Sequence, residues 1–230
     1  MRLSRFILVT LFTAVATNSF AQTPPTSPNT KLSDAAFQTL AESCGANVPV
    51  STLEAIARTE SALHPYALSI NRPHQLAHRQ GWNRGTITLE RQPASLEEAI
   101  AWTKWLLEHG AAVSIGLLQV NSEHAAALHV TVEQLFEPCT NLRAGATLLT
   151  VMYSATARMQ GQGLSALNTA LSYYNSGTAW LGFRNGYVSQ VTAHADLRRR
   201  FSIKGVRQKS ELARSHHACA NGTKTERHDK

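Results

Sequence analysis

The chain has 230 residues, 43% of them apolar and 16% charged, enough apolar material for one sizeable domain, which excludes a largely disordered chain. Its formal charge of +7 would suit an anionic polymer as partner, but residues 1–21 carry only Arg2 and Arg5, residues 198–230 carry ten Lys and Arg against three acids, and the stretch between carries ten against twelve. A basic groove for nucleic acid is therefore disfavoured in the core, because neutralising phosphates needs cations on the folded face.

The chain opens with a targeting pattern. Arg2 and Arg5, an apolar run from Phe6, and small residues around Ser19-Phe20-Ala21 predict a signal peptide over 1–21, cut after Ala21. An uncleaved anchor is the alternative, although a run of about 12 apolar residues falls short of the roughly 20 that a spanning helix needs. Residues 22–30, QTPPTSPNT, form a Pro-rich linker, and the folded domain is expected over 31–201.

Leu32, Ala36, Leu40 and Cys44 recur at helical spacing and stop at Gly45, so a first helix is predicted there. Ser51-Thr52-Leu53-Glu54 has the form of a capping box opening a second helix that reaches Ala62, with Pro65 helping to end it. In that helix Leu53, Ile56, Ala57 and Glu60 fall at i, i+3, i+4 and i+7, which sets the Glu60 carboxylate on the apolar face. Residues 67–71 and 81–89 have the composition of short strands around turns such as Asn83-Arg84-Gly85. Ser95-Leu96-Glu97-Glu98 is a second capping box, for a helix through Leu106 and Leu107 that stops at Gly110. Asn141 is expected to cap a helix over 142–159 closed by Gly161-Gln162-Gly163, and 164–174 and 187–201 complete six or seven helices beside a minor sheet. The fold class is mainly α (α+β). Residues 202–230 are basic and hold too few large apolar side chains to offset ordering entropy, which predicts a flexible tail, either a solvated extension or a docking or membrane-surface element.

The three cysteines, Cys44, Cys139 and Cys219, lack C-x-x-C spacing; an exported chain admits one bridge with one thiol left over. Cys44 and Cys139 lie next to segments placed in the core, whereas Cys219 sits in the tail, so the expected pair is Cys44 with Cys139; two buried free thiols are the alternative. Closing that long loop is worth about 4 kcal/mol in the chain-entropy picture.

Glu60 leads the chemical candidates. A carboxyl among apolar neighbours is pushed toward its neutral form, which suits a general acid; the alternative is an edge position reaching solvent or an Arg such as Arg58. In Gly116-Leu117-Leu118-Gln119-Val120-Asn121 the glycine permits close approach of a ligand, and neutral amides suit an uncharged polyhydroxyl such as a sugar, unless they are structural amides of a strand and turn. Tyr173-Tyr174-Asn175-Ser176-Gly177 is either a helix stop or an aromatic and amide pair that stacks on a sugar face. His74 and His78 are spaced i, i+4 but lack a third ligand, so no metal site is expected. Nucleophile elbows and phosphate-cradling glycine loops are missing from the sequence.

In this order the segments resemble the Slt-type lytic transglycosylases, most closely the exported peptidoglycan-cleaving component of type IV secretion systems. The resemblance runs from about Leu40 to Ala195 and rests on Ala57-Arg58-Thr59-Glu60-Ser61-Ala62-Leu63-His64-Pro65, on the Gly116 to Asn121 run, on Asn141-Leu142-Arg143-Ala144-Gly145, on Tyr174-Asn175-Ser176-Gly177 and on Gly186-Tyr187-Val188. It implies a lysozyme-like, mostly helical domain whose catalytic Glu ends a helix beside a glycan cleft, a position Glu60 fits. It also implies that Ser69 contacts the N-acetylmuramoyl residue and that Gln119, Asn121, Tyr174, Asn175 and Tyr187 line or support the cleft. The family tends to carry the two core cysteines, which favours the Cys44 to Cys139 bridge. These secretion-system relatives often have an Asp just before the Gly-Leu-x-Gln run, where this chain has Val113-Ser114-Ile115, so Glu60 is the only carboxylate expected in the cleft. A two-carboxylate scheme then lacks its partner, and the resemblance implies a single acid that protonates the bridge between N-acetylmuramic acid and N-acetylglucosamine and leaves a 1,6-anhydromuramoyl end, with no cofactor or metal. The expected protein is periplasmic, in a Gram-negative envelope. It acts on glycan strands, opens the wall for a type IV secretion or conjugation apparatus whose components are partners, and binds no nucleic acid. A goose-type lysozyme and a non-catalytic glycan-binding scaffold are the alternatives.

Overall fold

The computed structural model describes residues 31–45, 47–71, 86–89 and 91–196. The expected signal peptide, linker and tail, the Asn83-Arg84-Gly85 turn, His74, His78 and Cys219 lie outside the described residues. Among the described residues no helix is long and apolar enough to cross a membrane.

Helix α1 (Asp34–Cys44) begins where the Ser33 hydroxyl accepts from the Ala36 N–H, ends at Gly45, and buries Phe37, Ala41 and Cys44. Helix α2 (Val50–Ser61) departs from the predicted capping box: it starts after Pro49 and has no side-chain cap. The proline ring fixes φ at a value that already suits helix entry, so Ser51 lies exposed within the first turn. Glu54 turns inward, 2% exposed, and accepts from Arg58 at 3.0 and 2.9 Å. Arg58 also pairs with Asp34 of α1 at 2.5 Å. The carboxylate that the box required is thus used to join α1 and α2. Ala62 and Leu63 follow with φ of 51° and 65°, ending the helix one residue after Glu60, ahead of Pro65. Left-handed backbone at non-glycine residues stores about 1–3 kcal/mol per residue.

Strands β1 (Leu68–Asn71), β2 (Thr86–Thr88), β3 (Ala112–Ile115) and β4 (Val120–Asn121) form an antiparallel sheet in the order β2-β1-β3-β4. Ser69 lies opposite Thr88 on one side and Ser114 on the other, and Ser114 lies opposite Asn121. Because side chains alternate between faces, this register gathers Leu68, Ile70, Val113, Ile115 and Val120 on one face and Ser69, Asn71, Ser114 and Asn121 on the other.

Helix α3 (Leu96–Glu108) starts at the predicted cap: Ser95 accepts from the Glu98 N–H at 3.2 Å, while the Glu98 carboxylate reaches one residue further back than a capping box requires, accepting from the Ala94 N–H at 2.6 Å. Helix α4 (Pro138–Gln160) has 23 residues and a length of roughly 34 Å. It starts earlier than expected. Glu137 is its cap, accepting from the Cys139 and Thr140 N–H groups, and Pro138 fills the first position. Asn141, expected to cap this helix, is instead buried in its first turn. Helices α5 (Leu164–Ser176) and α6 (Leu181–Arg184) follow, and a further helix, α7, runs over 187–196, the last described residues; its expected continuation to Phe201 lies outside them. Helix α4 packs against α5 and α1, and a disulfide between Cys44 and Cys139 joins the end of α1 to the start of α4. Phe37, Leu53, Ile56, Leu68, Ile115, Leu118, Phe136 and Leu142 are almost fully buried between these helices and the sheet's apolar face. The architecture is mainly helical with a minor sheet, as the sequence predicts.

Candidate active site

The β3–β4 connection is suspended from three helices. Gly116 and Gln119 both have positive φ, 76° and 47°, and a side chain at Gly116 would meet the Asn141 amide at 2.5 Å. From α4, Asn141 donates to the carbonyls of Ile115 and Leu135 and accepts from the Leu118 N–H, each at 2.8 Å. All three hydrogen bonds are buried, and losing them would strand backbone polar groups. From α5, the Tyr174 hydroxyl donates to the Leu118 carbonyl at 2.7 Å. From α2, the Ser61 hydroxyl reaches the Leu117 carbonyl at 2.8 Å. Gly145 of α4 makes room for the loop, since an added Cβ there would run into the Leu118 side chain and lie 3.0 Å from the Tyr174 hydroxyl.

Glu60, in the last turn of α2, faces a cleft of about 570 Å³ lined also by Ser69, Asn71, Ser114, Gln119, Asn121, Glu123, His124, Tyr174 and Asn175. Burial raises the pKa of the Glu60 carboxyl from its ordinary 4.5 to about 7, against a smaller downward pull from Tyr187. Tyr187 is 6% exposed and is not among the residues that line the cleft. Its hydroxyl bears on the carboxyl in a loose arrangement, and by strict distance and angle it has no hydrogen-bond partner among the described residues. Burial, and then the nearby Glu60, holds the Tyr174 and Tyr187 hydroxyls well above their usual range, so both stay protonated when Glu60 titrates. Arg58, the alternative partner for Glu60, is engaged by Glu54 and Asp34.

The remaining predicted residues differ in how much hydrogen-bonding capacity they retain. Gln119 donates both amide hydrogens, to the Ala67 and Gly116 carbonyls at 3.0 Å each, and accepts from the Ser69 hydroxyl at 2.7 Å, so it braces Ser69. The Asn121 side-chain oxygen accepts from the Glu123 N–H at 2.9 Å. The Asn175 side-chain oxygen accepts from the Asn185 amide at 2.8 Å.

The cleft also corrects the expectation that Glu60 is its only carboxylate: Glu123 is there too, exposed on the single turn Ser122–His124. The Asn121-Ser122-Glu123 order, an amide two residues before an acid, was the available signal. Asn71 and Ser114 were missed because only the strand register brings them to this face. A second pocket, of about 440 Å³ between Asn47–Thr52, α4 and the start of α5, contains no carboxylate. Among the described residues no three His, Cys, Asp or Glu side chains gather to hold a metal ion.

The transglycosylase SLT domain family matches residues 38–195, well over half of the chain and every element around the cleft. The chain belongs to this family. This SLT domain is similar to the type IV secretion system protein virB1 of Brucella abortus, 35% identical over 167 residues that cover 70% of this chain and 64% of the relative. It is similar also to protein virB1 of Agrobacterium fabrum, 34% identical over 76% of this chain and 65% of the relative, and to that of Rhizobium radiobacter, 31% identical over 72% and 63%. The chain thus spans a little under two thirds of the length of these relatives. No solved structure matches it. The SLT match begins within α1 and ends within α7, so Glu60, the β3–β4 loop and the tyrosine pair all belong to the SLT domain.

Proposed function

We propose that the protein is a lytic transglycosylase that cleaves the bond between N-acetylmuramic acid and N-acetylglucosamine in peptidoglycan. The observation that carries this reading is Glu60: a half-buried carboxyl at the cleft, its pKa raised by burial to about 7, facing a wall made mostly of amides and hydroxyls. A group with that pKa is protonated often enough to act as an acid and ionised readily enough to act as a base afterwards. Protonated Glu60 gives its hydrogen to the glycosidic oxygen as the bond from C1 of the muramoyl residue breaks. The 2-acetamido oxygen of the substrate stabilises the positive charge that develops at C1. Ionised Glu60 then takes the hydrogen of the C6 hydroxyl, whose oxygen closes on C1 to give the 1,6-anhydro end, and no water is consumed. Ser69 contacts the muramoyl residue and Gln119 braces it, Asn121 and Asn175 orient the acetamido groups, Tyr174 supports the loop, and Tyr187 steadies the Glu60 carboxyl.

The same reading places the protein in the periplasm after removal of residues 1–21, with 22–30 as linker, 31–201 as the working domain and 202–230 as a basic tail. It opens the wall locally for a type IV secretion apparatus, in keeping with the name of its Brucella abortus relative. The Cys44–Cys139 disulfide suits an oxidising compartment. One observation favours hydrolysis as a second reading: Glu123 brings another carboxylate to the cleft, and inverting or retaining hydrolases use two. Mass spectrometry of muropeptides released from purified sacculi separates the two. The lytic route gives anhydro products lighter by one water, whereas products with a reducing end would replace the reading by hydrolysis.

A further inference from the structure

We propose that Ser114 is a substrate-binding residue: held by Asn71, it donates its hydroxyl hydrogen to the carbonyl oxygen of an acetamido group, with Asn121 as the second donor to that oxygen. The inference rests on the glycan reading above and adds the residue that selects the acetamido group.

It follows from which hydrogens and lone pairs are already used. A serine hydroxyl has one hydrogen and two lone pairs. Ser69 gives its hydrogen to Gln119 and so offers the cleft only lone pairs. Ser114 is the reverse. Its oxygen accepts from the Asn71 amide at 2.6 Å, and among the described residues its own hydrogen has no acceptor. Ser114 is only 9% exposed, and the surface it retains lines the cleft, so that hydrogen is available to a ligand. Asn121 uses its oxygen on the Glu123 N–H, which leaves its two amide hydrogens.

Ser114 and Asn121 are directly opposite each other in the β3–β4 register, on the same face, where side chains of paired residues start about 5 Å apart. Two donors at that spacing match the two lone pairs of one carbonyl oxygen. A sugar hydroxyl could rotate to suit either a donor or an acceptor, whereas an amide carbonyl only accepts, so a wall that presents two donors side by side selects the carbonyl. Burial adds to the selectivity, because a nearly enclosed hydroxyl left without an acceptor is unfavourable and the correct ligand removes that penalty.

The test uses the full chain carrying Glu60→Gln, so that ligand is bound without turnover. Its titrants are the hexamer of N-acetylglucosamine and the analogue bearing N-thioacetyl groups, whose sulfur is a poorer acceptor while the N–H is retained. The single variant should bind the hexamer about three- to tenfold more tightly than the thio analogue, and adding Ser114→Ala should weaken hexamer binding by about the same factor while leaving the thio analogue nearly unchanged. Thermal melting confirms that the double variant is folded. A lack of discrimination between the two ligands by the single variant overturns the inference without reliance on any change at Ser114. Equal weakening of both ligands by Ser114→Ala, or none, also overturns it. If the single variant does not bind the hexamer, the inference falls, and the proposed function stands or falls separately on whether wild-type protein releases anhydromuropeptides from sacculi.

Discussion

On the α2 side of the cleft a half-buried carboxyl lies near two tyrosines, and partial burial disfavours its charge. On the sheet side, Ser69, Ser114 and Asn121 stand in an in-register row whose hydrogen bonds are partly satisfied by Gln119, Asn71 and the Glu123 backbone. Both walls contain buried polar atoms, but they deal with burial differently. The α2 wall leaves its acid under-solvated, which changes the acid's proton affinity. The sheet wall ties each polar group down on one side and so fixes what it can offer on the other. Local polarity alone does not distinguish a reactive surface from a recognising one; the distinction lies in which bonds each group has left to make.

The most severe way to break this contrast is Glu60→Gln. If reactivity belongs to the α2 wall alone, release of muropeptides from sacculi should fall by about a hundredfold to ten-thousandfold, while glycan binding is retained; loss of both together would mean that the two walls are not separable. Next comes Asn141→Ala, which removes the buried amide holding the loop between the walls and strands two carbonyls and an N–H. Urea denaturation should show about 3 kcal/mol of lost stability, and an unchanged midpoint would mean that the loop is held by other contacts. A third test is pH. The Glu60 pKa is raised in the fold from 4.5 to about 7, so the fold prefers the protonated form: its contribution is fully present below about pH 4.5 and is lost as pH rises through about 7, by at most about 3 kcal/mol. Glu60→Gln should therefore gain stability relative to wild type at pH 8 but not at pH 4, and cleavage by wild type should decline above pH 7. Parallel stability profiles for the two proteins would show that Glu60 is solvated. The smallest expected effect is that of Gly145→Ala. Helix propensity alone predicts a gain of about 1 kcal/mol, yet the added methyl presses on Leu118 and the Tyr174 hydroxyl, so a net loss of about 1–2 kcal/mol in thermal melting is expected. A net gain would show that the loop yields.

The legible parts of the sequence were those whose partners lie close in the chain. The Ser95 cap forms because its bonds are local: Ser95 accepts from the Glu98 N–H, and the Glu98 carboxylate holds the neighbouring Ala94 N–H while Arg91 binds it too without displacing it. The Ser51 box has the same letters and fails, since Pro49 already sets the helix start and Arg58 takes Glu54 inward. Asn141 shows the same limit: an amide near a helix start suggests a cap, but Glu137 and Pro138 perform that task, and the amide serves a loop that only the folded chain brings near. Helical period placed Glu60 on the inner face, and the neutral amides of the Gly116 to Asn121 run were visible as chemistry. That Gln119 has both amide hydrogens committed, that Tyr187 is buried near the acid, and that Ser114 shares a face with Ser69 and Asn121 all depend on strand register and helix packing between distant segments, which no local pattern encodes.

The Cys44–Cys139 link has a reach beyond the two helices it joins. Cys139 and Asn141 share the first turn of α4, so the covalent tether from α1 and the amide that carries the β3–β4 loop are mounted on the same few ångströms of backbone. A crosslink that would ordinarily count only toward resistance to unfolding is therefore also coupled to the cleft: through one helical turn, the end of α1 is tied to the amide that holds the β3–β4 loop.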